Sequence, residues 1–538
     1  MALPRIYGGR RRRILGRLVA NGVAQAGLAF TIAWLLRSAL REVRADDPPW
    51  ALLGALALAS LLGVGLRVVE ASDAERLGQD YVTRVRLRIF ERIASRPERA
   101  AGRGRYGLTM TRLISDLNSL RNWVSLGIAR TVVASLIIAG LLAALAHVDL
   151  AVGAIGVAVV LLTAAGVALL TPRLRERVRE ARRRRGQLAN NLGEKVFAFR
   201  TVRHFGRTER ELRRVGSQSR RLRDALVART RLSQGLRSLP DLGLPIGTAA
   251  IVWVAGAHAS ESWSLADAAA AIMLMGMLRS ALRDLARAWD YRLSFAEGHR
   301  RITTILAAPR LKERPGAEDL AGEGPVGFAF EDVCVGDLLR GISFAAEPGD
   351  RLLVVGPSGA GKSLVLGLAA RLLDPDSGRV RLGGRPLRSL SLDSVHDAVQ
   401  LVAPEIPLLR GSLADNLGYG LDADADAAVL AAAEACGLLE EPLALPDGLE
   451  TRIEEQGQNL PPGLRARVAL ARAIAAAPRL LLVDDPAFVA DAEARATLRR
   501  VIEKLDATVV VAAPDGATPI EAQHVFRLEP AATAQGSS

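Results

Sequence analysis

The chain has 538 residues, of which 50% are hydrophobic and only 4% aromatic, and its 71 Lys or Arg against 57 Asp or Glu leave a formal charge of +14. That length predicts more than one domain, and two cysteines are too few for a disulfide framework. Aromatic rings to stack bases are scarce and the basic residues lie between apolar runs, which excludes nucleic acid as a partner and points to membrane flanks.

Apolar stretches at 14–36, 50–66, 123–146, 150–170, 242–259 and 265–285 come first along the chain. A span needs about 20 mostly apolar residues, so six membrane spans are predicted. Arg130 in the third, and Arg279 and Arg283 near the end of the sixth, soften those boundaries. The flanks at 10–13, 67–121 and 172–239 are Arg-rich, whereas the connectors 147–149 and 260–264 hold no Lys or Arg. Both termini are therefore expected on the cytosolic side. Segment 172–239 alone has 21 Lys or Arg against 6 Asp or Glu, so the basicity is local. The connector after the first span carries Arg37, Arg41 and Arg44 beside Asp46 and Asp47 and fits this rule less well. A helix end whose arginines snorkel into the interface would account for it. Arg10–Arg13 before an apolar run has the form of a secretion signal, but the run is long and further spans follow, so a retained anchor is expected.

The loops 67–121 and 172–239 are helix-like and, at about 1.5 Å per residue, would project tens of ångströms from the membrane as docking surfaces. Few polar groups lie within the spans. Asn21, Gln25, Arg130 and Asp267 are functional candidates by position, with helix-end snorkelling an equal account of Arg130 and Asp267.

Residues 1–308 thus read as a transmembrane domain and 309–325, rich in Pro, Gly and charge, as a linker. From 326 to 528 short apolar strands alternate with helices, the pattern of an α/β domain, and 529–538 reads as a disordered tail. Cys334 and Cys436 both fall in the α/β half, where two buried thiols are expected.

Within that half, "RLLVV" runs into "GPSGAGKS" and the apolar helix "LVLGLAARLL". Strand, loop and helix together make Gly356, Pro357, Ser358, Gly359, Ala360, Gly361, Lys362 and Ser363 a phosphate-binding loop. Backbone N–H groups curl around phosphates, Lys362 neutralises β and γ oxygens, the Ser363 hydroxyl reaches Mg²⁺, and the helix dipole favours the anion. A second strand, "RLLLV", ends at Asp484 and Asp485. Asp484 suits a Mg²⁺ site beside the loop, and Asp485 stands where a base or water-orienting group acts. Between the phosphate loop and this strand, "NLPPGLRAR" (459–467) begins a helix with two residues that have no N–H donor.

Six spans, long cytosolic loops, a phosphate loop and an acidic strand end resemble an ATP-binding cassette half-transporter of the type I exporter kind, over nearly the whole chain. The resemblance implies a multidomain fold: an all-α six-helix transmembrane domain, then an α/β P-loop NTPase domain. "GLTMTRLISDLNSLRNW" (107–123) looks like the family's first long loop. "EKVFAFRTVRHFGRTERE" (194–211) is similar to the second, which leads away from a coupling helix. Gly356, Gly361, Lys362, Ser363 and Asp484 match the family position by position.

Other positions depart from it. Pro404 stands where a glutamine is expected to contact Mg²⁺ and water. Leu460, Pro461, Pro462, Gly463 and Leu464 occupy the signature, normally Leu-Ser-Gly-Gly-Gln, whose Ser hydroxyl and Gly N–H groups grip the γ-phosphate of the partner subunit. Only Gly463 is kept. Asp485 replaces the catalytic glutamate, Ala513 and Pro514 stand at the switch histidine, and Asp337 is nearest the adenine-stacking aromatic, across a shortened loop that leaves the alignment open.

The resemblance implies ATP and Mg²⁺ as cofactors and pairing as a homodimer or as a heterodimer with another half-transporter; the Arg- and Ala-rich composition points to a bacterium, and hence to the plasma (inner) membrane as location. The transported substrate is unassigned, an apolar or amphipathic cargo being expected from the apolar lining. Two functions remain: an ATP-driven exporter subunit with slow hydrolysis, or an impaired nucleotide-binding partner that modulates an intact half-transporter.

Overall fold

The structure, a computed structural model, describes residues 4, 6, 8–42, 49–95, 97, 117–257, 264–311, 313–422, 425–440, 445 and 447–529. Two compact units divide the chain between Ala308 and Pro309, with Ser95 belonging to the second. Most of the first long-loop segment, 107–116, and all of the tail after Glu529 lie outside the described residues.

Among the described residues the first unit is all helix. It comprises α1 (Arg10–Glu42), α2 (Trp50–Ala94), α3 (Ala129–Val148), α4 (Leu150–Phe197), a short α5 (Phe199–His204), α6 (Thr208–Ala257) and α7 (Leu265–Ala307). A π-helical turn, Trp123–Ile128, leads into α3; a side chain on its Gly127 would strike the Trp123 ring at 2.2 Å. Five of the six long helices are long and apolar enough to cross a membrane by length and composition. The sixth, α7, carries Asp267, Arg279 and Arg283 in its apolar half.

Alanine and leucine let α1, α3, α4, α6 and α7 close around Ala29, Leu141, Val152, Ile251, Leu274 and Leu278. Outward-facing Leu58, Leu61 and Leu62 of α2 and Leu161 and Leu162 of α4 are more than half exposed, as a lipid-facing surface requires. The antiparallel pair α4 and α6 has 48 and 50 residues. Each is therefore about 70 Å long against a hydrocarbon layer of about 30 Å. At the tip of this pair, α5 and the flanking turn expose Phe197, Phe199 and Phe205.

The polar groups within the spans are paired between helices. Asn21 donates to the Leu66 carbonyl at 3.0 Å, and Gln25 donates to Asn21 and to Glu70, each at 2.7 Å. Arg130 meets Asp284 at 3.6 Å. Asp267 caps α7 through a reciprocal pair of bonds with Ser264 and binds Arg37 and Arg41 of α1, the latter at 2.9 Å. That pairing is the physical reason for arginines after the first span: a 4%-exposed carboxylate needs a counter-charge more than the interface needs a snorkelling one.

The second unit packs a mixed architecture. Strands β1 (Phe328–Val335), β2 (Leu339–Ala346), β4 (Ser377–Leu382) and β5 (Arg385–Pro386) form an antiparallel sheet in the order β2-β1-β4-β5. Strands β3 (Arg351–Val355), β6 (Val399–Val402), β9 (Leu480–Val483), β10 (Thr508–Ala513) and β11 (His524–Arg527) form a parallel sheet in the order β11-β3-β10-β9-β6. A two-residue ladder pairs β7 (Gly411–Ser412) with β8 (Arg452–Ile453). Continuous apolar runs such as "LLLV" and "TVVVAA" are buried along their whole length, because helices cover one face of the parallel sheet and helices together with the antiparallel sheet cover the other. Helices α8 (Lys362–Ala369), α9 (Leu392–Ala398), α10 (Leu413–Leu417), α11 (Asp426–Ala435), α12 (Pro462–Ala475), α13 (Ala487–Ala490) and α14 (Ala492–Lys504) complete the unit. Cys436 is fully buried, but Cys334 on β1 is only half-buried, since strand alternation puts it on the face opposite the buried Val333 and Val335.

Candidate nucleotide-binding edge

Because β3, β10, β9 and β6 run parallel, the chain leaves all four at one edge of the sheet. The segments after them are the phosphate loop, Ala513–Pro514, Asp484–Asp485 and Ala403–Pro404. Positions separated by up to about 160 residues are thereby neighbours, at the place where open α/β sheets bind ligands.

Gly356 must be glycine, since a Cβ there would lie 2.5 Å from the Leu528 carbonyl oxygen. Gly359 and Gly361 adopt φ of +87° and +97°, the left-handed region that curls the loop back towards α8. Pro357, Ser358 and Gly359 are exposed, Ala360 is buried beneath them, and the loop opens directly onto the first turn of α8. Lys362 donates to the carbonyls of Gly356 at 2.6 Å and Pro357 at 3.0 Å, spanning its own loop. The Ser363 hydroxyl lies beside the Asp484 carboxylate, near enough to favour its charged form.

Burial is the main cause that raises the Asp484 carboxyl above its ordinary range; the Ser363 hydroxyl opposes it, Glu405 adds to it, and Lys362 opposes it. Asp485 is raised in the same direction, again chiefly by burial, with the Ala487 N–H and Arg465 acting against it and Glu405 with it. Its Oδ1 accepts from the Ala487 N–H at 2.9 Å, which turns the side chain towards the start of α13. Glu405 was not singled out by sequence reasoning. The available signal was an acid just past the strand that flanks β9.

The diproline segment begins α12 with Pro461 at the N-cap and Pro462 as the first helical residue, without a side-chain cap. Leu460, Gly463 and Leu464 are buried, while both prolines are exposed. A Cβ on Gly463 would sit 2.5 Å from Asp491 Oδ2, so only glycine fits between α12 and the start of α14. Pro514 is exposed just beyond β10. Asp337, in the β1–β2 turn, is 97% exposed and paired with Arg340 at 3.1 Å. That turn packs against the phosphate loop, because a Cβ on Gly361 would lie 2.8 Å from the Leu339 side chain.

A phosphate loop on a parallel sheet, carried on the same polypeptide as six long helices, defines a membrane-bound protein driven or gated by nucleotide. Residues 339–488 match the family model for the ABC transporter domain, and residues 18–282 match that for the ABC transporter transmembrane region. The chain belongs to the ABC transporters, with one membrane region and one ATP-binding domain, the half-transporter arrangement.

It is 32% identical over 328 residues to a multidrug efflux ATP-binding/permease protein of Mycobacterium tuberculosis, covering 59% of this chain and 27% of that one. The chain thus matches about a quarter of that relative's length. An ATP-dependent lipid A-core flippase of Chromobacterium violaceum is 26% identical over 476 residues, covering 86% of this chain and 80% of the flippase. A solved structure of a bacterial Atm1-family ABC exporter with ATP bound shares the fold at a TM-score of 0.85 and 22% identity, over 96% of this chain and 93% of that one.

Proposed function

We propose that this chain is an exporter subunit that binds ATP with Mg²⁺, hydrolyses it slowly, and moves an apolar or amphipathic substrate across the bacterial inner membrane as part of a dimer. The observation that carries the reading is an asymmetry within one domain. The phosphate loop keeps every group that grips a triphosphate, whereas α12 presents prolines where its family offers donors.

The membrane domain is taken as 1–308, the linker as 309–325, the nucleotide domain as 326–528 and the tail as 529–538, with both termini cytosolic. ATP binding rests on the amides of 356–361, Lys362 and Ser363. Mg²⁺ fits the hard oxygen donors present: the Ser363 hydroxyl and the Asp484 carboxylate lie side by side, and Mg²⁺ is typically held by one or two carboxylates plus phosphate oxygens. When bound, the cation offsets charge on the phosphates.

Hydrolysis should suffer more than binding. The retained contacts act on the bound ground state, and the altered positions act on water and transition state. Asp485 is one methylene shorter than glutamate, and such a displacement of a water-positioning group lowers the rate by about a hundredfold. Pro461 has neither hydroxyl nor N–H, Pro462 has no N–H, and Pro404 and Pro514 replace the polar side chains expected there.

Each composite site takes one subunit's phosphate loop and the other's signature. A homodimer inherits every loss in both sites, and an intact partner leaves one defect in each. These losses also favour the second reading, a nucleotide-binding partner that regulates an intact half-transporter. The name of the multidrug-efflux relative and that of the lipid A-core flippase both support an amphipathic cargo.

ATPase rate in lipid vesicles decides between the readings, measured for the chain alone and with a copurifying half-transporter, against Asp485→Asn. Slow turnover that disappears in the variant supports the exporter. No turnover in either protein, despite bound nucleotide, supports the regulator. Turnover as fast as that of an unaltered family member overturns the impairment.

A further inference from the structure

Pro404 has no amide side chain to offer a metal, but the residue after it is a carboxylate. Strand β6 is in register with β9, Val402 opposite Val483, and the Asp484 N–H donates to the Val402 carbonyl at 2.8 Å. The chain leaving β6 therefore runs beside the chain that bears Asp484 and Asp485. The Ile406 N–H then donates to the Ala403 carbonyl at 3.0 Å, closing a tight turn with Pro404 and Glu405 at its centre. Proline's fixed φ suits the first central position of such a turn.

Arg472 of α12 fastens the far side, donating to the carbonyls of Ile406 at 2.8 Å and Pro407 at 3.1 Å. Segment 403–407 is thus held at both ends and keeps an exposed Glu405 near the acidic pair.

Carboxylates at the mouth of a phosphate loop are unfavourable alone and favourable around a divalent cation. The loop itself is the second half of the site, since Gly359 and Gly361 at positive φ curl it over the first turn of α8 and Lys362 spans it. Among the described residues no three acidic, His or Cys side chains form a ready-made metal cage. The cation must therefore share phosphate oxygens with the protein, as Mg²⁺ with a nucleotide does.

Resting on the ATP-binding reading above, we propose that Glu405 takes the place of the missing glutamine as an oxygen donor to the nucleotide's divalent cation, beside Ser363 and Asp484. A carboxylate differs from glutamine in one respect that can be measured. It holds a cation more strongly than a neutral amide does, and it repels a triphosphate that has no cation, which an amide does not. ATP binding by this chain is accordingly more dependent on Mg²⁺ than a glutamine at the same place would make it.

The test measures ATP affinity of the full-length protein in detergent, by calorimetry, first in EDTA and then across a MgCl₂ titration, for the unmodified protein, Glu405→Gln and Glu405→Ala. The expected result is opposite shifts. Both variants bind metal-free ATP about three- to tenfold more tightly and need about three- to tenfold more Mg²⁺ for half of its effect, as loss of one nearby charge predicts. Weakening under both conditions means a structural role, and no change under either means no role; both overturn the proposal. Lys362→Ala serves as the reference for lost phosphate binding. If the unmodified protein binds ATP no better than this variant at any Mg²⁺ concentration, the ATP-binding reading itself fails and the Glu405 assignment falls with it.

Discussion

Arg467 lets the retention of α12 be tested apart from any ligand. Its guanidinium is 3% exposed and donates to the Cys436 carbonyl at 2.8 and 3.0 Å and to the Gly437 carbonyl, just past the end of α11, while its fourth contact is Glu493. Gly437 lies so close that a Cβ would sit 2.8 Å from the guanidinium. In Arg467→Met the apolar stem remains, and two inward-facing carbonyls lose their donors.

An unsatisfied buried acceptor costs about 1–3 kcal/mol, so two give a loss of about 3 kcal/mol. The Glu493 side is 68% exposed and screened, and contributes at most about 0.5 kcal/mol. Hydrogen exchange of the full-length protein, read at amides of α11 and α12, reports the local opening free energy. A drop of about 3 kcal/mol for Arg467→Met with almost none for Glu493→Gln is expected. A drop below about 1 kcal/mol, or equal drops for the two variants, would refute the idea that these carbonyl bonds anchor the helix.

Lys362→Ala removes the only cation on the phosphate loop and is expected to weaken ATP binding by at least about a hundredfold, measured with a fluorescent ATP analogue. Asp485→Asn is expected to raise the melting temperature of the unliganded protein. The folded state raises this carboxyl's pKa, so its ionised form at neutral pH opposes folding, and stability should grow as pH falls towards that raised value and be lost as pH rises through it. A lower melting temperature for the variant at neutral pH would contradict this. Burial pushes the Cys436 thiol up to about 12, so iodoacetamide should label it about a thousandfold more slowly than a free thiol until the domain unfolds, as mass spectrometry of native and denatured protein can show. Gly463→Ala forces a Cβ to within 2.5 Å of Asp491 Oδ2, and is expected to destabilise the start of α12 in the same exchange experiment.

Local pattern carried much of this protein. Apolar runs of membrane length, Arg-rich flanks and the strand–loop–helix around "GPSGAGKS" are properties of contiguous residues, and contiguous residues set hydropathy, turn chemistry and helix starts. The two domain types and the family followed from them. Diproline at 461–462 was likewise legible, because proline's fixed φ and missing N–H act on its own turn.

What depends on distance through space was not legible. No periodicity relates Asp267 to Arg37 and Arg41, more than 220 residues away, yet a buried carboxylate draws them together across two helices. Glu405 looked like a loop residue until the register of β6 with β9 set it beside Asp484 and Asp485. Arg467 looked like one more basic residue on an amphipathic helix, and packing against α11 turned it inward. Charges interact according to separation in space and burial, and those two quantities exist only once the chain has folded.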